Sequence, residues 1–314
     1  MLIPLVQAAG GLAMLYFGGE WLTRGASALA WRLGVPPVAI GLTVVAFGTS
    51  MPELVVSVDA ALSGATDISL GNIVGSNIAN IALILGLATL LRPVTVHAKL
   101  VRIDGPLLVL VSLALAALLG GGRVSRLDGG LLLVGLVAYT GFTLWGARRE
   151  LPPVQEEFAS ATPDDGAGAG AGLSLTVFGL VLLVAGGHFL VTAAVTLATL
   201  AGISQAVIGL TIVAVGTSLP ELATSVVASL RGRGDIAIGN VVGSNIFNIL
   251  GILGVTAVVR PFELGAITWF DIGAMVALAV ALAVLLATRT RLGRVEGACL
   301  LAVFIAYTSW LLGG

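Results

Sequence analysis

Residues 41–86 read GLTVVAFGTSMPELVVSVDAALSGATDISLGNIVGSNIANIALILG, and residues 209–254 read GLTIVAVGTSLPELATSVVASLRGRGDIAIGNVVGSNIFNILGILG. The two stretches align without a gap at a constant offset of 168, and 30 of 46 positions are identical. Each copy carries Gly-Thr-Ser-x-Pro-Glu and then Gly-Ser-Asn-Ile-x-Asn. A glutamate repeated in this way inside apolar segments is the pattern of a transporter whose binding site lies between two structural repeats.

The rest of the chain agrees with a membrane setting. It has 314 residues, 58% of them hydrophobic and only 10% charged, with a mean hydropathy of +1.09. A soluble protein of this length needs more charge than that to cover its surface. The 43 glycines suit close helix packing and helix breaks in lipid. A net charge of −1 gives no case for nucleic-acid binding. The single cysteine, Cys299, excludes an intramolecular disulfide and a multi-cysteine metal site. No convincing cleavage site follows the first apolar segment, which has an internal counterpart at 172–192. It is therefore read as a spanning helix and not as a signal peptide.

Hydropathy predicts an all-α membrane protein of ten transmembrane helices, each near the ~20 residues a bilayer requires. The predicted spans are 2–22, 36–62, 68–91, 104–121, 127–146, 172–194, 204–230, 236–259, 269–288 and 295–313. Residues 150–171 interrupt the pattern with prolines, acidic residues and a Gly-Ala run, the composition of a flexible solvated linker. The expected organisation is a five-helix repeat at 1–149, the linker, and a second repeat at 172–314. Identities outside the core stretch keep the same offset: Gly18-Gly19 matches Gly186-Gly187, and Arg92-Pro93 matches Arg260-Pro261. Because five is odd, the second repeat enters the membrane from the opposite side, giving inverted repeats. With both termini outside, twelve lysines and arginines fall in inside loops and Arg123, Arg126 and Arg260 fall outside, a strong positive-inside bias.

Within Gly48-Thr49-Ser50-Met51-Pro52-Glu53 the proline removes a backbone donor and crowds the Gly48 carbonyl. The span should break here, and the second copy should break at Gly216-Thr217-Ser218-Leu219-Pro220-Glu221. In lipid such a break is tolerated where it lines a cavity or where a bound ion satisfies the freed carbonyls. Glu53 and Glu221 follow the breaks at bilayer depth, where a charge costs at least ~2.5–3.5 kcal/mol. No lysine or arginine lies mid-span to neutralise them, so a cation or a proton must. Carboxylates, hydroxyls, amide oxygens and carbonyls form an all-oxygen set, which favours hard cations such as calcium over zinc or copper. Ser76, Asn77 and Asn80, with Ser244, Asn245 and Asn248 in the second copy, fall on one helix face and are expected opposite the breaks.

These two motifs resemble the paired alpha-repeats of the calcium/cation antiporter superfamily, most closely its prokaryotic sodium/calcium exchanger branch. The resemblance covers nearly the whole chain. It implies ten helices in two inverted repeats, a multi-pass protein of the prokaryotic inner membrane, calcium and sodium as transported ions, no cofactor and no obligatory protein partner. It also implies that Glu53 and Glu221 are the central calcium ligands, with Thr49 and Thr217 adding a carbonyl, a hydroxyl or both. Ser50 and Ser218 then line the pathway. Ser76, Ser244 and the carbonyls of Ala46 and Ala214 match sodium-binding positions, and Asn80 and Asn248 match the remaining central polar positions. Some members have an aspartate where this chain has Asn248. The site therefore holds two carboxylates and a charge of −2, which one calcium or two sodium ions cancel and three sodium ions over-compensate by +1.

Three rival readings are weighed against sodium/calcium antiport. Calcium/proton antiport uses the same glutamates. A cation channel uses the same oxygen-lined site without alternating access. An enzyme is disfavoured because no Ser-His-Asp, HExxH or paired catalytic aspartate pattern is visible. Among the remaining polar residues, Asp59 is expected to face an aqueous vestibule. Glu20 and His188 occupy equivalent positions in the first helix of each half and are expected to be satisfied at an interface. Asp67, Asp104, Asp235 and Asp271 are read as N-caps.

Overall fold

The computed structural model describes residues 2–33, 37–62, 66–96, 98–147, 169–200, 214–261, 267–289 and 291–313. Helices dominate these residues. The first half contains α1 (Leu2–Leu33), the short α2 (Pro37–Ile40), α3 (Ala46–Thr49), α4 (Met51–Leu62), α5 (Thr66–Ala79), α6 (Gly86–Leu91), α7 (Gly105–Gly120) and α8 (Arg126–Ala147). The second half contains α9 (Ala169–Leu200), α10 (Ala214–Thr217), α11 (Leu219–Leu230), α12 (Gly234–Phe247), α13 (Gly254–Val259), α14 (Trp269–Thr288) and α15 (Arg294–Gly313). Wide π-helical turns at Gly41–Val45, Asn80–Leu85, Leu100–Asp104 and Asn248–Leu253 join pieces of the same rod. A two-residue antiparallel pairing of β1 (Val94–Thr95) with β2 (Arg291–Leu292) ties the two halves at one end.

Among the described residues, seven helices are long and apolar enough to cross a bilayer. The pair Gly41–Thr49 and Met51–Leu62, bent by 48°, makes an eighth if counted as one span. Residues 204–213 of the predicted span 204–230 lie outside the described residues, as does most of the predicted linker. Helix α9 begins at Ala169, so the last three residues of that linker are already helical.

Helix α1 continues to Leu33 and does not stop at residue 22. Its 32 residues extend ~48 Å at 1.5 Å each, well beyond a ~30 Å hydrocarbon core. The sequence explains this, since no proline occurs between residue 22 and Pro36. Arg24, which marks the apparent water boundary, is one turn after Glu20 and pairs with it at 2.7 Å.

The equivalent helices α1 and α9 form an antiparallel pair on glycine. Gly11 faces Gly186, Gly18 faces Gly179 and Gly25 faces Gly172, so glycines seven residues apart on each helix meet in opposite order. A methyl group on Gly25 would lie 2.5 Å from the Thr176 amide nitrogen, and one on Gly179 would lie 2.5 Å from that of Leu22. Backbones this close need residues without a side chain. The pair contributes Leu15, Leu22, Ala26 and Leu183 to a small apolar cluster of its own. A much larger cluster joins α5, α7, α12 and α14 through residues such as Ile73, Leu115, Val242 and Leu282. At the end of α11, Gly232 adopts φ +79, and the Arg233 amide donates back to the Ala228 carbonyl at 2.8 Å, closing the helix in the left-handed cap glycine favours.

Candidate functional site

Both breaks form as the proline predicts. Ser50 (φ −83, ψ 9) separates α3 from α4, and Ser218 (φ −88, ψ 8) separates α10 from α11. Pro52 and Pro220 each occupy the first turn of the following helix, where a missing N–H costs nothing. The break leaves the Ala46 carbonyl, a sodium-binding position by resemblance, within the helical ladder. It accepts the Ser50 amide at 3.1 Å, and the Thr49 hydroxyl lies 3.3 Å from it. A single serine between two helical pieces leaves the helical bond at that carbonyl intact. Ala214 opens the described part of the second break.

The breaks face each other across the repeats. Ser50 Oγ donates to Glu221 Oε1 at 2.8 Å, and Ser218 Oγ donates to Glu53 Oε1 at 3.0 Å. Each hydroxyl thus gives its proton to the carboxylate of the other half. Glu53 is 2% exposed and Glu221 fully buried. Arg24–Glu20, Arg231–Glu20 and Arg289–Glu296 are ion pairs, and none of them involves either buried glutamate.

The Gly-Ser-Asn helices close the other side. Asn80 Nδ2 donates to Asn245 Oδ1 and Asn248 Nδ2 donates to Asn77 Oδ1, both at 3.1 Å. Asn77 Nδ2 reaches Met275 Sδ at 3.6 Å. Ser218 Oγ also lies 3.2 Å from Ser76 Oγ. Both π-helical turns in this layer begin at the motif asparagines, Asn80 and Asn248. Such turns interrupt the helical ladder and recur at functional sites.

Several buried polar atoms at this centre have no protein partner, the donor Asn245 Nδ2 among them. Glu53 Oε2, Glu221 Oε2, Asn80 Oδ1 and Asn248 Oδ1 are buried and accept no hydrogen bond, and Ser244 Oγ has no partner either. A buried unsatisfied polar group costs roughly 1–3 kcal/mol, more for a charged one. The four acceptors are two pairs related by the 168-residue offset. They are oxygen atoms, and calcium accepts 6–8 such ligands.

Sequence reasoning missed Asn72 and Asn240. Asn72 Nδ2 donates to the Glu53 carbonyl at 3.2 Å and to Ser57 Oγ at 3.0 Å. Asn240 Nδ2 donates to the Glu221 carbonyl at 3.4 Å and to Ser225 Oγ at 3.0 Å. The signal was present, since asparagine follows glycine at this position in both copies.

Other polar residues lie elsewhere. Glu20 is held between Arg24 and Arg231, while His188 is exposed and packs edge-on against Phe189. The side chains of Asp59 and Asp67 lie outside the described residues. Three N-cap expectations fail. Asp104 is buried in a helix that has already begun at the preceding π-helical turn, and it accepts from Tyr139 at 3.2 Å. The cap of α14 is Thr268, with Asp271 completing its capping box. In α12 the cap is Arg233, with no side-chain bond.

A duplicated helical membrane protein with broken helices around a buried, oxygen-lined centre is the architecture of a membrane transporter. Comparison with known proteins names the family. Residues 3–145 and 171–313 both match the family described as sodium/calcium exchanger protein, and the chain belongs to it. It is 40% identical to a candidate antiporter of Alkalimonas amylolytica, CaxA, over 98% of both chains. It is 38% identical to the inner membrane protein YrbG of Escherichia coli strain K12, over 99% of this chain and 97% of that one. The sodium/calcium exchanger MaX1 of Methanosarcina acetivorans is 33% identical over 95% of each. The solved structure of the sodium-calcium exchanger NCX_Mj soaked with 2.5 mM Na+ and 0.1 mM Ca2+ superposes with a TM-score of 0.85, at 32% identity and 98% coverage of both chains. The protein is a multi-pass membrane protein of this family.

Proposed function

We propose that this protein is a secondary antiporter that exchanges calcium for sodium at a mid-membrane site between Glu53 and Glu221. The observation that carries the reading is the set of four buried oxygens, Glu53 Oε2, Glu221 Oε2, Asn80 Oδ1 and Asn248 Oδ1, that accept no hydrogen bond from the protein. A hard divalent cation satisfies all four at once and cancels the −2 charge. Ser50 and Ser218, whose protons go to the carboxylates, keep lone pairs for the same ion. Thr49, Thr217, Ser76 and Ser244 supply further hydroxyl oxygens, and the main chain at Ala46 and Ala214 flanks the breaks.

Two sodium ions cancel the same charge, so one site serves both cargoes by mutual exclusion. Leaving the site without either exposes two carboxylates to low dielectric, which blocks the unloaded transition and couples the fluxes. Ten crossings in two inverted halves, 1–149 and 172–314, complete the reading, with both termini outside the inner membrane. The antiparallel contact of α1 with α9, the first helices of the two halves, supports the inversion.

The test is calcium-45 uptake into proteoliposomes loaded with sodium, with potassium, or with a proton gradient, and Glu53→Gln as the control. Uptake driven by outward sodium and lost in the variant is the expected result. Uptake driven by protons alone moves the protein to calcium/proton exchange. Ion flux without coupling to any gradient of a second ion makes it a channel.

A further inference from the structure

Asn72 and Asn240 touch the site without offering it an atom. Asn72 is 8% exposed and Asn240 fully buried, and each amide joins three elements. Its NH2 group holds its own repeat: the main-chain carbonyl of the glutamate and, one turn further on, the Ser57 or Ser225 hydroxyl. Its oxygen faces the opposite repeat, where Asn72 Oδ1 accepts from Thr217 Oγ1 at 3.2 Å and Asn240 Oδ1 shares the single Thr49 Oγ1 proton with the Val45 carbonyl, each at 3.1 Å. Only a carboxamide offers paired donors and an acceptor in one plane.

With the serine–carboxylate bonds, each amide closes a loop across the repeat boundary. The adjacent residues Thr49 and Ser50 of the first half hold Asn240 and Glu221 of the second, and Asn240 holds the Glu221 backbone. The mirror loop runs through Thr217, Ser218, Asn72 and Glu53. We propose that Asn72 and Asn240 are positioning residues that fix each glutamate against the threonine of the opposite repeat, so that the two half-sites adopt their ion-binding geometry together. A carboxylate displaced by an ion in one half then moves the hydroxyl pair of the other. The proposal rests on the cation-site reading above.

Full-length protein in proteoliposomes separates this from a purely structural role. The readouts are the half-saturating calcium concentration of sodium-driven uptake and the thermal midpoint without ions. Asn72→Ala and Thr217→Val are each expected to raise half-saturation roughly tenfold. The double variant is expected to be no worse than the weaker-binding single, because both remove one shared contact. Thr49→Val with Asn240→Ala should give the mirror result, and Asn72→Ser replaces Asn72→Ala if that protein does not fold. Effects that multiply in the double variant, or a lowered midpoint with unchanged half-saturation, overturn the proposal and leave the cation site standing. Wild-type protein without any calcium response overturns both.

Discussion

The centre of this molecule and its flank treat the internal duplication differently. At the centre three cross-repeat bonds recur in both halves, while Ser218–Ser76 and Asn77–Met275 have no counterpart. Ser50–Glu221 mirrors Ser218–Glu53, Thr49–Asn240 mirrors Thr217–Asn72, and Asn80–Asn245 mirrors Asn248–Asn77. On the first helices the match stops. Glu20 is clamped by Arg24 and by Arg231 of the second half at 2.7 and 2.6 Å, whereas its counterpart His188 is exposed. An ion held at the pseudo-axis meets equivalent ligands from both halves, so symmetry there is chemically useful. On the antiport reading proposed above, the flank is where the two access states would differ, and sealing both sides alike serves no transporter.

The largest expected effect tests the central symmetry. Glu53→Gln and Glu221→Gln should each reduce calcium transport at least ~100-fold, since each removes a buried charge from a paired set. Calcium-45 uptake that survives in either one breaks the equivalence of the halves. Ser50→Ala and Ser218→Ala should each weaken apparent calcium affinity about tenfold, the scale of a hydrogen bond to a charged acceptor. Ser218→Ala should be slightly worse, because Ser218 also touches Ser76.

Two further variants sharpen the flank. Gly25→Ala should destabilise the protein by about 1–3 kcal/mol by forcing α1 and α9 apart. Gly10→Ala, with nothing within 4 Å of the added methyl, should be neutral in the same thermal melt. Glu20→Gln should have the smallest effect, ~1 kcal/mol or less, because its arginine partners are 50% and 49% exposed and screened by solvent. It should shift the balance between the two access states, read by thiol labelling of cysteines placed on either side of the site, while calcium binding stays within about twofold.

Much of this was legible in the sequence because apolar runs in lipid have few alternatives to helix, and a Pro-Glu pair inside one stands out. The breaks at Ser50 and Ser218 and the facing carboxylates follow from that. What was illegible is what depends on the second half arriving. No local pattern says that Thr49 will meet Asn240, or that Ser50 will meet Glu221. The N-caps expected at Asp104 and Asp235 failed because their helical stretches begin earlier than hydropathy indicates, at Leu100 and Gly234, whereas α14 begins at the expected Trp269 and takes Thr268 as its cap. One non-helical serine is too short an interruption to strip the Ala46 carbonyl of its amide, a detail the proline alone does not announce. Asn72 and Asn240 recur in both copies, but an uncharged asparagine reveals its role only through its contact with the opposite repeat.

The four unpartnered oxygens have a consequence for the endurance of the protein. A ligand that binds only the folded form stabilises it by RT ln(1 + [L]/Kd), about 2.7 kcal/mol at a hundredfold excess over Kd. Glu53, Glu221, Asn80 and Asn248 supply no such stabilisation by themselves, because their free oxygens have nothing in the chain to bind. On the cation-site reading proposed above, cargo is also mortar. The fold would be strongest mid-journey with an ion aboard and weakest in the interval after release, so calcium or sodium in the surrounding fluid would set how long each copy survives heat, detergent and proteases.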